Sequence, residues 1–216
     1  KTQELKRSKE AMMLDNVAAA PGTAGPGGTP RASAGAMAWI KTNTNGNSSN
    51  DPTVSGSGDF DGYPNVAATA GTPRAFTEAL ADDIMLKCYN EGGEPSMMLL
   101  NPINKPVVSQ NFTGNSTRYK DATDRRIVAS VDFWESDFGE VQVVPDRFLP
   151  EVATGNYAVL FIDPDYWRVD YLYNIRQQEL ARTGHSERRL IQCEYMLACL
   201  NEKASGIVRD TSGAAA

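Results

Sequence analysis

The chain offers one histidine for acid–base chemistry, so a serine-hydrolase triad would have to be built around His185. His185 lies in the polar run Thr183-Gly-His-Ser-Glu187. No Gly-x-Ser-x-Gly pattern, which marks the exposed nucleophile of many hydrolases, occurs in the sequence. The surroundings favour a solvated loop histidine, and a small hydrolase centred on His185 remains as an alternative.

Metal and phosphate sites need residue spacings that the sequence lacks. Paired cysteine, His-Glu-x-x-His and calcium-loop spacings are all missing. Asp163-Pro-Asp165 resembles a carboxylate pair, but aspartates that flank a proline after a strand are typical of a turn. Gly25-Pro-Gly-Gly28 lacks the Lys-Ser/Thr pair and the following helix of a phosphate loop. We therefore predict no catalysis, no cofactor and no metal.

The composition indicates a globular protein with free cysteines. The 216 residues are 41% apolar, which is enough for a substantial core in one or two domains. Cys88, Cys193 and Cys199 are odd in number and show no paired spacing, so we expect free cysteines that behave as small buried hydrophobes. No stretch approaches the ~20 apolar residues of a membrane helix, and residues 1–7 lack the apolar core of a signal peptide, so neither membrane nor export is expected.

The charge balance argues against a protein that holds nucleic acid by its phosphates. The net charge is −6, whereas phosphate binding depends on clustered Lys and Arg. A mildly acidic chain is still compatible with enclosing DNA without binding it.

Two clear helices are predicted in the first half of the chain. Residues 4–14 are rich in helix formers, with Leu5, Met12 and Met13 near one stripe. Lys6 and Arg7 crowd the positive end of this helix, so we expect the true helix to begin upstream of Lys1, in a shortened or processed chain. Residues 78–90 form the second helix, with Thr77 as its cap and a Gly-Gly terminator. The Gly- and Asn-rich segments 17–31 and 41–64 are predicted surface loops around a short ordered piece at residues 37–40.

Strands dominate the second half. A strand at residues 96–100 and a short helix at 105–111 precede a polar excursion, residues 113–126. A hairpin follows, with Phe133 among the alternating apolar residues of its first strand, Ser136 to Gly139 as its turn, and Val141 and Val143 on the returning apolar face. Further strands are predicted at 157–162, 167–172 and 189–200, and residues 174–187 are predicted to be a polar connection. Helices and strands without a regular βαβ rhythm indicate the α+β class.

Several ordered stretches resemble the tailed-phage major capsid (major head) proteins. They include residues 28–43, 74–78, 92–114, the hairpin region 128–148, 163–167, 179–184 and 194–204, which together span nearly the whole chain. The resemblance implies the Hong Kong 97-type capsid fold, with a peripheral domain that carries a spine helix and a long sheet, and an axial domain around the capsomer axis. It implies a peripheral domain at residues 1–75 with 164–203 and an axial domain at 76–163 with 204–216. The N-terminal arm and extended loop of the family are expected to be absent from this chain.

The implied function is structural. The resemblance predicts a virion capsid subunit that is assembled in the host cytoplasm, forms pentamers and hexamers of an icosahedral head by non-covalent contacts, and encloses double-stranded DNA without specific binding. Self-association is the expected partnership, with portal or cement proteins as further candidates. A β-rich surface binding module is the alternative from another class.

Candidate subunit contacts are charged residues on the first helix and in the polar excursion. In the excursion, rotational symmetry would bring copies of one loop together at the capsomer axis, where opposite charges pair across subunits. The candidates are Lys6, Arg7, Glu10, Arg118, Lys120, Asp121, Asp124, Arg125 and Arg126.

Overall fold

Helices and strands are interspersed along the chain, as the α+β prediction requires. The computed structural model describes residues 1–25, 27–48, 50–54, 62–112, 132–181, 184–186 and 188–213. Its helices are α1 (Thr2–Leu14), α2 (Ala36–Trp39), α3 (Glu78–Asn90) and α4 (Asn104–Asn111). Its strands are β1 (Thr44–Asn45), β2 (Thr53–Val54), β3 (Pro64–Val66), β4 (Arg74–Ala75), β5 (Met97–Leu100), β6 (Phe133–Ser136), β7 (Gly139–Pro145), β8 (Tyr157–Ile162), β9 (Trp167–Glu179), β10 (Arg189–Cys199) and β11 (Gly206–Ser212). Short 3-10 turns occupy Pro164–Tyr166 and Glu202–Ala204.

A seven-stranded mixed sheet organises the molecule. Its order is β1-β11-β8-β5-β7-β6, and β4 also pairs with β11. The neighbours β8 and β5 are antiparallel, whereas β5 and β7 are parallel. Every residue of β8 is buried, which explains its continuous apolar sequence.

The two faces of this sheet carry two separate cores. Val159 and Phe161 of β8 point into the first core, which α3 and α4 cover. Ala158, Leu160 and Ile162 point into the second core, which contains α2 and Leu197 of β10. Alternate residues of one strand therefore hold two layers together.

The strands β9 and β10 form a separate antiparallel ribbon. Trp167, Val169 and Leu197 at its base pack on the second core, together with Met13 and Leu14 of α1. The ribbon is longer than predicted, because β9 continues to Glu179 through residues expected to be a polar connection. The prediction of a polar connection was wrong, because polar side chains also suit a strand whose two faces are both in contact with water.

The hairpin is confirmed, and Val141 and Val143 of its returning strand are buried as predicted, but the buried face of its first strand is the opposite of the predicted one. Ser136 pairs with Gly139, which leaves Asp137 and Phe138 as the turn. Trp134 pairs with Val141 and is 6% exposed, whereas the predicted core residue Phe133 is 59% exposed. Two adjacent strand residues cannot share one face, and Trp134 gains the contact with Phe112 at a ring distance of 5.3 Å.

The last strand, β11, was not predicted. Its sequence Gly-Ile-Val-Arg-Asp-Thr-Ser contains adjacent charges, which normally mark an exposed segment. All of its residues except the last are nevertheless buried.

No helix of the described residues is long and apolar enough to cross a membrane.

Candidate subunit interface

The residues with catalytic potential do not converge. His185 is exposed in the turn between β9 and β10. The amide of Asp165 donates to Asp163 Oδ1 at 3.2 Å, which is the predicted turn chemistry. Within the described residues, no group of three or more His, Cys, Asp or Glu side chains is placed to hold a metal ion. The candidate functional features of the described residues are exposed surfaces.

The first surface is α1 where it lies along the ribbon. Lys9 Nζ stands over the Tyr171 ring at 4.7 Å and over the Tyr195 ring at 5.7 Å, and it donates a hydrogen bond to the Tyr171 hydroxyl. The Tyr195 hydroxyl lies 3.9 Å from Met12 Sδ. Cation–π attraction thus holds one face of the helix on the ribbon.

The predicted contacts Lys6, Arg7 and Glu10 lie on the remaining surface of α1. All three side chains are exposed. None of them forms a hydrogen bond or ion pair with another residue in the part of the chain that the structure describes. They are available to a neighbouring molecule, and their role as subunit contacts stays a prediction.

The second surface is the outer face of the ribbon, which sequence reasoning missed. Leu172 is 65% exposed and Met196 is 52% exposed, on the side of the ribbon away from Trp167 and Val169. Arg168 and Asp170 form an ion pair at 2.9 Å on the same outer face. The available sequence signal was the presence of apolar side chains at both odd and even positions of a strand with one buried face.

The third surface is the outer face of the β6–β7 hairpin, which we call the hairpin face and define by Phe133, Glu135, Glu140 and Gln142. Glu135 pairs directly with Glu140, and Phe133 pairs directly with Gln142. All four side chains are exposed. Like charges directly opposite one another destabilise a strand pair, so the hairpin carries a local electrostatic cost on this face.

Carboxylates of α3 and the hairpin turn extend the acidic surface. Trp134 Nε1 lies 3.4 Å from Glu78 Oε1, which brings the start of α3 beside the hairpin. Burial, and then the nearby carboxylates of Glu78 and Asp137, raise the pKa of Asp82 above its ordinary value. The ring of Phe138 lies 5.5 Å from that of Tyr89, which places the turn beside the end of α3.

A buried polar node ties the loops before α3 to the sheet. Arg209 is 2% exposed, donates to the carbonyl oxygens of Met37 and Ile40 at 3.0 and 2.9 Å, and pairs with Asp51 at 2.6 Å. Burial lowers the pKa of Arg209, and Asp51 opposes that shift.

Asp210 completes this node through an unusual backbone. Its φ is 60°, and the pairing of β11 with β8 shifts register across the same point, as in a β-bulge. Its carboxylate accepts from the amides of Asn47 and Gly71 and from Asn156 Nδ2. The side chain turned inward by the bulge thus fixes three separate segments.

The predicted contacts of the polar excursion lie outside the described residues. They are Arg118, Lys120, Asp121, Asp124, Arg125 and Arg126. Their assignment to the capsomer axis stays a prediction.

Proteins similar to this chain include phage major capsid proteins and an encapsulin of known structure. The family model described as "SU10 major capsid protein" matches residues 1–212. A major capsid protein of Escherichia phage Phieco32 is 26% identical over 155 residues, which is 68% of this chain and 42% of that protein. The chain thus spans less than half the length of this curated relative. The cryo-EM structure of the holo-SrpI encapsulin complex from Synechococcus elongatus is similar with a TM-score of 0.45 and 13% identity, over 67% of this chain and 53% of that chain.

Proposed function

The chain belongs to the SU10 major capsid protein family, and we propose that it is a structural subunit of a phage head. The observation that carries this proposal is the match of the family model along residues 1–212. The named relative is itself a phage major capsid protein. The proposed role is non-enzymatic and the proposed location is the virion, with assembly in the host cytoplasm.

We further propose the Hong Kong 97-type fold for the subunit. In this assignment, α1 is the end of the spine helix and the ribbon of β9 and β10 belongs to the peripheral domain, at residues 1–75 with 164–203. The axial domain comprises residues 76–163 with 204–216. The packing of α1 along the ribbon through Lys9 supports the grouping of these two elements.

Self-assembly is the proposed activity, with pentamers and hexamers as the capsomers of an icosahedral shell. The exposed apolar residues Leu172 and Met196 support it, because a ribbon of two strands needs packing partners for stability. Burial of this face between copies would supply such partners. Portal and cement proteins are proposed as additional partners.

Double-stranded DNA is the proposed content of the shell and not a tightly held ligand. The net charge of −6 supports this distinction, because a lining that held phosphates strongly would need an excess of Lys and Arg.

Sedimentation and negative-stain electron microscopy of the protein expressed at full length test the proposal. We expect closed particles of megadalton mass. A species that stays monomeric at high concentration in every assembly buffer would contradict the shell function.

A double variant, Leu172→Asp with Met196→Asp, should reduce particle yield while the unassembled subunit keeps its circular dichroism spectrum. Asp165→Lys, on an exposed turn, is the surface control and should assemble normally.

A further inference from the structure

The hairpin face presents a combination of groups that selects for long cationic side chains. The exposed ring of Phe133 offers an apolar and cation–π surface, and Glu135 lies two residues further along the same face of the strand. A Lys or Arg side chain has an apolar stem and a charged head, so it can cover the ring and reach the carboxylate together.

The carboxylates here lack cationic partners within the described parts of the chain. Glu135, Glu140, Asp137, Glu78 and Asp82 form no ion pair with any described residue. Among the described cations, Lys105 pairs with Asp132 at 3.5 Å and Lys87 pairs with Asp83 at 2.7 Å. No cation of the described residues therefore compensates the repulsion between Glu135 and Glu140.

The same chain carries an uncompensated cationic surface on α1. Lys6 and Arg7 are exposed without a described partner, while Lys1 pairs with Glu4 and Lys9 is held by the two tyrosine rings. Glu10 lies about one helical turn after Lys6 and Arg7, so the cationic part of the α1 surface is in the first two turns of the helix.

The described structure does not bring these two surfaces into contact. The hairpin face lies on the side of the central sheet that carries the second core and α1, because Trp134, on the opposite side of the hairpin, packs in the first core. Lys6 and Arg7 nevertheless form no ion pair with Glu135 or Glu140 within the described residues, so a contact between the two surfaces needs a second copy. A contact between different patches of two identical copies is heterologous, and it closes into a ring when the rotation between copies allows.

We propose that Lys6 and Arg7 of one copy dock on the hairpin face of a second copy, with their charges on Glu135 and Glu140 and their stems over Phe133. This inference rests on the proposed shell function and names one contact that builds it. The occupant is a second copy because the complementary cations are on the same chain. Attraction across the contact also offsets the repulsion between Glu135 and Glu140, so the charge pair that weakens the isolated hairpin strengthens the assembly.

Charge reversal in the full-length protein tests the contact. Glu135→Lys with Glu140→Lys replaces one like-charge pair with another, so the strand pairing inside the subunit keeps its repulsion and the fold is preserved. We expect the association constant between subunits to fall about tenfold. Lys6→Glu with Arg7→Glu should produce a similar loss. The variant that carries all four reversals should return to within about threefold of the unmodified protein.

A neutral variant distinguishes attraction between copies from simple repulsion. Glu135→Gln with Glu140→Gln removes the cross-strand repulsion, so the melting temperature of the unassembled subunit should rise while association between subunits weakens. Association that strengthens in this variant would mean that the face only repels neighbours, and it would overturn the contact.

Three further outcomes would overturn the proposal. If reversing the charges of Glu135 and Glu140 had no effect on association, the hairpin face would not belong to the interface, while the shell function would stand. A loss that the α1 reversal fails to rescue would assign the face to a different partner. If the unmodified full-length protein formed no particles, both this contact and the proposed function would be overturned.

Discussion

Arg209 is the largest fully buried side chain of the described residues, and its contacts make it a structural requirement. Replacing it with Met would leave the carbonyl oxygens of Met37 and Ile40 without their donor and Asp51 without its ion pair. We expect Arg209→Met to lower the free energy of unfolding by about 2–5 kcal/mol, because buried unsatisfied acceptors cost about 1–3 kcal/mol each. Denaturant unfolding of the subunit measures this. Arg147→Met, at an exposed arginine, is the control and should stay within about 0.5 kcal/mol of the unmodified protein. Equal effects of the two substitutions would contradict the role of the node.

Two cysteines give the subunit an alkaline limit. Burial raises the pKa of Cys88 and of Cys199 to about 12, from an ordinary value of 9.0. As the pH rises above about 9, the thiols of the unfolded chain lose their protons before those of the folded chain. The contribution of the buried thiols to the free energy of unfolding is therefore fully present below pH 9 and is lost as the pH rises to about 12. Denaturant midpoints across this window measure the decline. The double variant Cys88→Ala with Cys199→Ala should show a shallower pH dependence, and an unchanged slope would contradict the assignment.

At the scale of the element, strand β10 is defined by its buried face. Leu197 is buried in the second core, whereas Glu194 pairs with Arg31 across 3.6 Å at the surface. We expect Leu197→Ala to lower the free energy of unfolding by ~2–5 kcal/mol, since it leaves a cavity. Glu194→Ala should cost less than about 1 kcal/mol, as exposed ion pairs do. Thermal melts that show equal, small effects would argue against this packing of the strand.

Lys9 contributes to the packing of the helix α1 on the ribbon, beside the apolar contacts of Met12, Met13 and Leu14. Lys9→Met keeps an apolar stem but removes the charge above Tyr171 and Tyr195, so we expect a loss of about 1 kcal/mol in unfolding free energy. Lys6→Met, on the exposed surface of the same helix, is the matched control and should leave the stability of the unassembled subunit unchanged. Chemical denaturation compares the two variants. A larger loss for the Lys6 variant would show that the helix packs with a different face.

At the scale of the whole molecule, the polar excursion at residues 113–126 carries the predicted contact at the capsomer axis. Opposite charges on neighbouring copies of this loop would pair, each pair contributing only ~0.2–1 kcal/mol but recurring at every subunit. Reversing Asp121 and Asp124 to Lys should therefore reduce capsomer yield, most strongly at low salt, while the melting of the unassembled subunit stays unchanged. Analytical sedimentation over a salt series measures the yield. Insensitivity to the reversal at every salt concentration would return the loop to an ordinary solvated surface.

The sequence alone determined the elements whose signals are local. The helix at residues 78–90 follows from its apolar spacing and its Gly-Gly stop, and the structure has it as Glu78–Asn90. Thr77 stands at the N-cap position as predicted, but its side chain forms no capping hydrogen bond. Strand β8 follows from an uninterrupted apolar run, and the hairpin turn follows from its polar residues and glycine. The charged and exposed character of Lys6, Arg7 and Glu10 was also evident, because a helix face without apolar residues has no core to enter.

Tertiary structure alone decided which side of the first hairpin strand is buried and which charges are internal. Phe133 and Trp134 are both apolar, and only the packing of Trp134 against Phe112 selected between the two faces. Arg209 and Asp210 read as surface residues, yet their partners are distant along the chain, at separations of 54 positions for Asn156 and of more than a hundred for Met37, Asp51 and Gly71. A buried charge is stable only when distant groups satisfy it, and no local sequence pattern states where those groups will lie.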